Sequence, residues 1–252
     1  MCSPPSDGKS LVVGVAYTYD TSRAARRELT SHKPGHSSWT DAFSYFVKCR
    51  LDETSPHGGE LRLNPGATNG GTTPHWPEAE LAALLGPGHD IVAYTLANDF
   101  TAFTVETGTG TGDSDNTYLG KCWPGSCGLG PAFVPATELG PVDDLPVTLR
   151  IERGERRIYA ETYRTSSRRQ EFSEVADLIV RRRKRLGEAA PRSKRVHLDE
   201  SGHLPAGTVI LLGTGLIVPP EAYCQAGDRI TVSCPGLGEL SHVVRATSAP
   251  TP

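Results

Sequence analysis

Twenty-seven glycines and twenty prolines break this chain into short apolar segments, and that punctuation limits its possible folds more than any other feature. Runs rich in β-branched and aromatic residues span Leu11 to Tyr19, Ala42 to Cys49, Asp90 to Asn98, Val147 to Arg153, Thr208 to Gly213 and Arg229 to Cys234, bounded by Gly, Pro or Asp. Such segments predict strands. Helical periodicity is clear once, where Phe172, Val175, Ala176 and Ile179 fall on one face behind a Ser167 and Gln170 pair spaced like a capping box. A shorter helix is expected from Ser22 to Leu29. Many strands and few helices predict a β-rich α+β fold, and no GxGxxG opens a helix after a strand as a doubly wound sheet would require.

Length and charge narrow the function. At 252 residues the chain can bury a sizeable core without disulfides or zinc, and one domain over 1–252 is expected. The formal charge of -3 offers no cationic field for nucleic acid, and the one basic run, Arg181 to Arg185, has no interleaved aromatics. A small-molecule substrate is the expected partner. The Pro-rich start has no apolar stretch behind basic residues, and no run approaches the roughly 18 apolar residues of a membrane span, so a cytoplasmic protein without a membrane partner is expected. Cys2, Cys49, Cys122, Cys127, Cys224 and Cys234 form no CxxC pair, which indicates neither a zinc ribbon nor a disulfide scaffold. Abundant Ala, Gly, Arg and Pro with a single Met suits a GC-rich bacterial genome. The charged stretch Arg181 to His203 reads as an exposed connection, and Gly108 to Asn116 as a loop beside Lys121 that can serve as a lid.

Glu78 and Glu80 lie two apart, so in an extended strand their carboxylates leave the same face. Alternating acids also mark a solvated strand face. Nineteen residues on, the apolar run Ile91 to Leu96 leads into Asn98 and Asp99, placing a third carboxylate at a strand end. Three oxygen donors without His or Cys suit a hard cation, Mg²⁺ or Mn²⁺, with Ca²⁺ also accommodated.

The ordered set Pro77-Glu-Ala-Glu-Leu-Ala, Tyr94-Thr-Leu-Ala-Asn-Asp-Phe-Thr-Ala, Tyr118-Leu-Gly-Lys-Cys-Trp-Pro-Gly-Ser-Cys-Gly-Leu-Gly-Pro and Leu212-Gly-Thr-Gly-Leu resembles the fumarylacetoacetate hydrolase superfamily. The likeness extends to the subgroup of arabonate-pathway dehydratases that act on 2-keto-3-deoxy sugar acids, through the stretch Gly14 to Arg26, Phe46-Val-Lys, Arg164-Thr-Ser and Gly213 to Pro220. It implies a mixed β-roll or β-barrel core, with 1–70 a smaller N-terminal portion and 71–252 the core, and a homodimer. It further implies that Glu78, Glu80 and Asp99 hold the cation, that Lys121 sits beside the substrate, and that Arg23, Lys48, Thr214 and Arg164 contact it.

The pattern also departs from the family. Hydrolases of the superfamily place a His-x-x-Glu pair after the first strand, whereas Arg23 and Arg26 stand here, and arginine cannot act as a base at ordinary pH. Glu28, with His32 and His36, lies near enough to substitute, and Glu28 is taken as a second catalytic candidate. After Asp99, Phe103 and Thr104 replace a usual Arg-Asp pair, which makes the expected pocket less polar. These features favour a metal-dependent lyase acting on a small 2-oxo acid or 1,3-dicarbonyl, removing water or carbon dioxide. Hydrolysis of an acylpyruvate-like C–C bond and a metal-free binding protein are the alternatives.

Overall fold

A computed structural model describes residues 10–16, 18–29, 43–65, 74–102, 116–190 and 194–247, with the side chains of 25–29 and 116–118 excepted. His32, His36, Phe103, Thr104, nearly all of the expected lid and the Glu28 side chain lie outside the described residues. The strands are β1 (Leu11–Ala16), β2 (Ser44–Arg50), β3 (Glu60–Arg62), β4 (His75–Trp76), β5 (Ala79–Leu85), β6 (Ile91–Asp99), β7 (Thr101–Ala102), β8 (Cys127–Pro135), β9 (Pro146–Arg153), β10 (Arg156–Arg164), β11 (Val209–Leu211), β12 (Arg229–Cys234) and β13 (Gly238–Arg245). Among the described residues four α-helices accompany them: α1 (Asp20–Leu29), α2 (Asn116–Lys121), α3 (Ala136–Leu139) and α4 (Phe172–Leu186). The fold is the β-rich α+β type expected.

Two mixed sheets dominate, one ordered β2-β1-β11-β5-β6-β8 and the other β10-β9-β12-β13-β3, with a small β4-β7 pair beside them. Strand β1 pairs in parallel with β11, and β3 in parallel with β13, so the first and last parts of the chain share both sheets. The main core includes Val13, Leu81, Leu96 and Ile210 of the six-stranded sheet, Leu149, Ile151, Ile230 and Val232 of the five-stranded sheet, and the apolar stripe of α4. Alternation sends Val12, Ala82, Leu84, Ala97 and Leu211 into a second cluster, so the middle of the six-stranded sheet is buried on both faces. Each large apolar side chain so enclosed contributes about 1.5–3 kcal/mol of transfer free energy.

Two local expectations are corrected. The basic run Arg181 to Arg185 is the last stretch of α4, not part of a connection. Arg and Lys are good helix formers, and cations near a helix C-terminus meet the negative end of its dipole. Gly187, at φ 55, then stops the helix, its N–H bonding to the Arg183 carbonyl. The Ser167 and Gln170 pair does not cap α4. Ser167 Oγ donates to the Arg164 carbonyl, and the N-cap Glu171 makes no side-chain capping bond. Cys49, Cys122, Cys127, Cys224 and Cys234 are free thiols.

Candidate metal centre

The centre forms where β5 begins and β6 ends. These strands are antiparallel, with Glu80 opposite Ala97 and Ala79 opposite Asn98, and the Asp99 N–H donates to the Glu78 carbonyl at 3.0 Å. Strand alternation puts Glu80, Ala97 and Asp99 on one face, and Glu78 follows the same parity. The three carboxylates each bring an oxygen within 4.8 Å of the others. Glu80 and Asp99 are each 1% exposed.

Two lysines enter this acidic cluster. Lys121, the last residue of α2, places Nζ 2.8 Å from Glu78 Oε2, 3.0 Å from Asp99 Oδ2 and 2.7 Å from Thr101 Oγ1. Lys48, from β2, places Nζ 2.6 Å from Asp99 Oδ1 and donates to the carbonyls of Phe100 and Lys121. Its ammonium therefore has three protein acceptors and holds Asp99 at Oδ1. Burial alone would raise the Asp99 pKa, but Lys121 and Lys48 outweigh it and hold the carboxyl below its ordinary value.

Glu80 is the opposite case. Burial first, then the charges of Asp99 and Glu78, push its pKa well above the usual carboxylate range against the opposing pull of Lys121 and the Gly213 amide. Its Oε2 accepts from Gly213 N–H at 2.6 Å, while Oε1 is buried with no hydrogen-bond partner among the described residues. That amide reaches Glu80 because Gly213 adopts φ +86 and a Cβ there would lie 1.9 Å from Thr18 Oγ1. Only glycine fits this turn. Tyr163 supports it from the other side, donating to the Ala79 carbonyl at 3.1 Å with its ring edge-on to Tyr19.

Several contributors carried no sequence signal. The Trp76 indole N–H donates to Glu78 Oε1 at 3.1 Å, and Thr101 bridges Lys121 and Glu78. Among the expected substrate contacts, Thr214 is buried beside Gly213, and its hydroxyl accepts from the Leu216 amide at 3.2 Å. Arg23 lies in the first turn of α1, 3.3 Å from Asp20, and α1 is tied to the same turn by Thr21 Oγ1 donating to the Gly215 carbonyl. Arg164, expected at the substrate, has its half-exposed guanidinium in a bidentate pair with Asp144. Its neighbour Tyr163 takes the inward face of β10, so alternation turns Arg164 outward.

The donor set fits a hard divalent cation. Three converging carboxylates, one of them carrying a buried oxygen with no hydrogen-bond partner among the described residues, are set against the two ammoniums of Lys48 and Lys121 and leave negative charge for a cation to share.

The family model for the fumarylacetoacetate (FAA) hydrolase C-terminal region matches residues 9–245, and the chain belongs to that family. It is 26% identical over 231 residues to the probable 2-keto-3-deoxyxylonate dehydratase of Haloferax volcanii, covering 90% of this chain and 69% of that protein. It is 24% identical over 166 residues to the 2-dehydro-3-deoxy-D-arabinonate dehydratase of Saccharolobus solfataricus, covering 65% of this chain and 47% of that protein; the chain thus matches about half the length of that relative. Among solved structures, 2-keto-3-deoxy-D-arabinonate dehydratase complexed with magnesium and 2,5-dioxopentanoate shares the fold at a TM-score of 0.71 and 21% identity, over 97% of this chain and 74% of that one.

Proposed function

We propose that this chain is a divalent-cation-dependent lyase that removes water from a small 2-oxo acid of the 2-keto-3-deoxy sugar acid kind, with Mg²⁺ or Mn²⁺ as its cation. The observation that carries the reading is the convergence of Glu78, half-buried, with the buried Glu80 and Asp99, with Glu80 Oε1 unpartnered among the described residues and the Lys121 ammonium between the other two carboxylates. The two dehydratase relatives and the magnesium complex of a similar structure support it.

Glu78, Glu80 and Asp99 would hold the divalent cation, which would supply the Lewis-acid charge that acidifies the C3 proton of a 2-oxo acid. The protein's own groups do the rest. Lys121 presents a desolvated ammonium at the same place and can hold or release the proton that moves as C3 is deprotonated and the C4 hydroxyl leaves as water. Lys48 holds Asp99 at Oδ1, so the carboxylate keeps its orientation when Lys121 turns toward substrate. Thr214 and Arg23, on the two segments tied together by the Thr21 hydroxyl, are assigned to the substrate's distal oxygens. Glu28 on α1 is assigned as the second proton-transfer group. Arg23 and Arg26 in place of a His-x-x-Glu pair favour this chemistry over hydrolysis, since neither activates water.

The homodimer implied by the resemblance belongs to the same proposal, and light scattering of the purified chain tests it. Among the described residues no helix is long and apolar enough to cross a membrane. The decisive assay incubates chelator-stripped protein with 2-keto-3-deoxypentonate and follows loss of the C4 carbinol proton by proton NMR. Turnover is expected only after Mg²⁺ or Mn²⁺ is restored, and not in Glu80→Gln. Turnover that survives chelation would overturn the reading.

A further inference from the structure

We propose a second cation site, of softer chemistry than the first, at the opposite end of the β5–β6 hairpin, built from His89 and His203 with Asp177 as the orienting carboxylate. The rise along β5 puts Leu85 about 17 Å from Glu80, and His89 lies beyond it in the turn Pro87–His89. The site is therefore separate from the acidic triad.

Four observations converge there. His89 adopts φ 56, the one positive φ at a non-glycine among the described residues; this region is sterically unfavourable for a side chain and open to glycine. A histidine placed in so unfavourable a conformation points to a use for its ring. Next, His89 Nε2 lies 3.2 Å from Asp177 Oδ1 on α4. A carboxylate there keeps the ring proton on Nε2 and leaves Nδ1 as a lone-pair donor, the arrangement commonly found behind metal-bound histidines. Third, His89 Nδ1 is buried and has no hydrogen-bond partner among the described residues. Finally, the His203 ring stands 4.5 Å from the His89 ring, centroid to centroid, at an interplanar angle of 63°. Its backbone is fixed in a tight turn, with the His203 N–H on Asp199 Oδ1 and the Asp199 N–H on the His203 carbonyl, both at 2.9 Å.

Two imidazoles, one with its tautomer set by a carboxylate, select borderline cations such as Zn²⁺, Co²⁺ or Ni²⁺ over Mg²⁺. Both histidines are half-buried and the Asp177 side chain is 60% exposed, so the cluster lies near the surface, where solvent is at hand to complete the coordination. An ion bound here joins the β5–β6 turn to the 199–203 turn, with α4 held through Asp177, and so acts as a structural clamp remote from catalysis.

The test uses the full chain with saturating Mg²⁺ to occupy the triad, titrated with Zn²⁺ by calorimetry and with Co²⁺ by visible absorbance. One further equivalent is expected, with the absorption of imidazole-ligated cobalt. His89→Gly should abolish it while keeping the fold, because glycine accepts the turn's positive φ. His203→Gln should abolish it too, and Asp177→Asn should weaken it about tenfold. No uptake beyond the triad, or uptake unchanged in both His89→Gly and His203→Gln, would overturn the proposal. Uptake lost only in Glu80→Gln would overturn it as well, by assigning the ion to the triad.

Discussion

Buried carboxylates occur in both large sheets, but their surroundings differ. At the start of β12, Asp228 is 1% exposed and fully partnered: Arg153 Nε and one terminal nitrogen each reach it at 2.8 Å, and the Gln225 N–H reaches it at 2.8 Å. In the six-stranded sheet, Glu78, Glu80 and Asp99 crowd together, with Glu80 Oε1 orphaned and the carboxylates outnumbering the ammoniums of Lys48 and Lys121. The first arrangement is complete, and its role is to hold β9 and the turn before β12 together. The second is costly in isolation, which is the mark of groups suited to hold a cation. Burial of a charged group therefore says little about function until its partners are counted.

That contrast can be broken most directly at Glu80. Glu80→Gln should lower turnover about a hundredfold or more while leaving the melting temperature unchanged or raised, because it removes a buried like charge. If instead activity survives and the protein destabilises, the triad is a structural cluster of the Asp228 kind. Steady-state kinetics beside a thermal melt decide between them.

A buried histidine at the seam of the two sheets sharpens the point. His242 on β13 packs its ring over Gly128 of β8, where a Cβ would come within 2.2 Å of it, and its Nε2 faces the Ser55 carbonyl at 3.1 Å. Burial, aided by nearby His57 and opposed by that carbonyl, lowers its pKa from 6.5 to about 4. The unfolded chain thus binds more protons between these values, and stability present above pH 6.5 is lost as pH falls toward 4. The full effect is roughly 3 kcal/mol. Urea midpoints at pH 7 and 4.5 should show much of it, and His242→Gln should flatten the profile.

Asp228→Asn should cost about 2 kcal/mol, discounted because the Arg153 side chain it leaves unpaired is partly solvated. Its turnover per folded molecule should match the parent, the reverse of Glu80→Gln; chemical denaturation with active-site kinetics checks both. The smallest effect belongs to Arg164→Ala, which breaks a half-exposed pair with Asp144. A stability change within about 0.5 kcal/mol and an unchanged KM are expected, whereas a large rise in KM would return Arg164 to the substrate pocket.

How much of this was legible beforehand depends on the range of the signal. All six segments expected as strands contain strands, because β-branched residues between turn formers are a local signal. The N-terminal helix begins two residues earlier than expected, at Asp20. Strand β5 is less obvious. Its sequence AELAALL is made of good helix formers, yet all seven residues are buried in a strand between β11 and β6. The two-residue spacing of Glu78 and Glu80 was readable only on the assumption of an extended segment. The basic run misled because charge indicates solvent exposure without distinguishing a helix from a loop.

Residue type and local spacing by themselves determined the β-rich class and the oxygen-only character of the candidate cation site, whereas the grouping of Glu78, Glu80 and Asp99 with Lys121 was implied by the family resemblance carried in the ordered motifs. Only the tertiary structure decided which carboxylate oxygen is left unpartnered, that Lys48 braces Asp99, that Gly213 places an amide on Glu80 from 133 residues away, and that Arg164 turns to Asp144. Those facts depend on strand pairing and turn geometry between distant segments, where the free energy of contact is set by neighbours that no local pattern encodes.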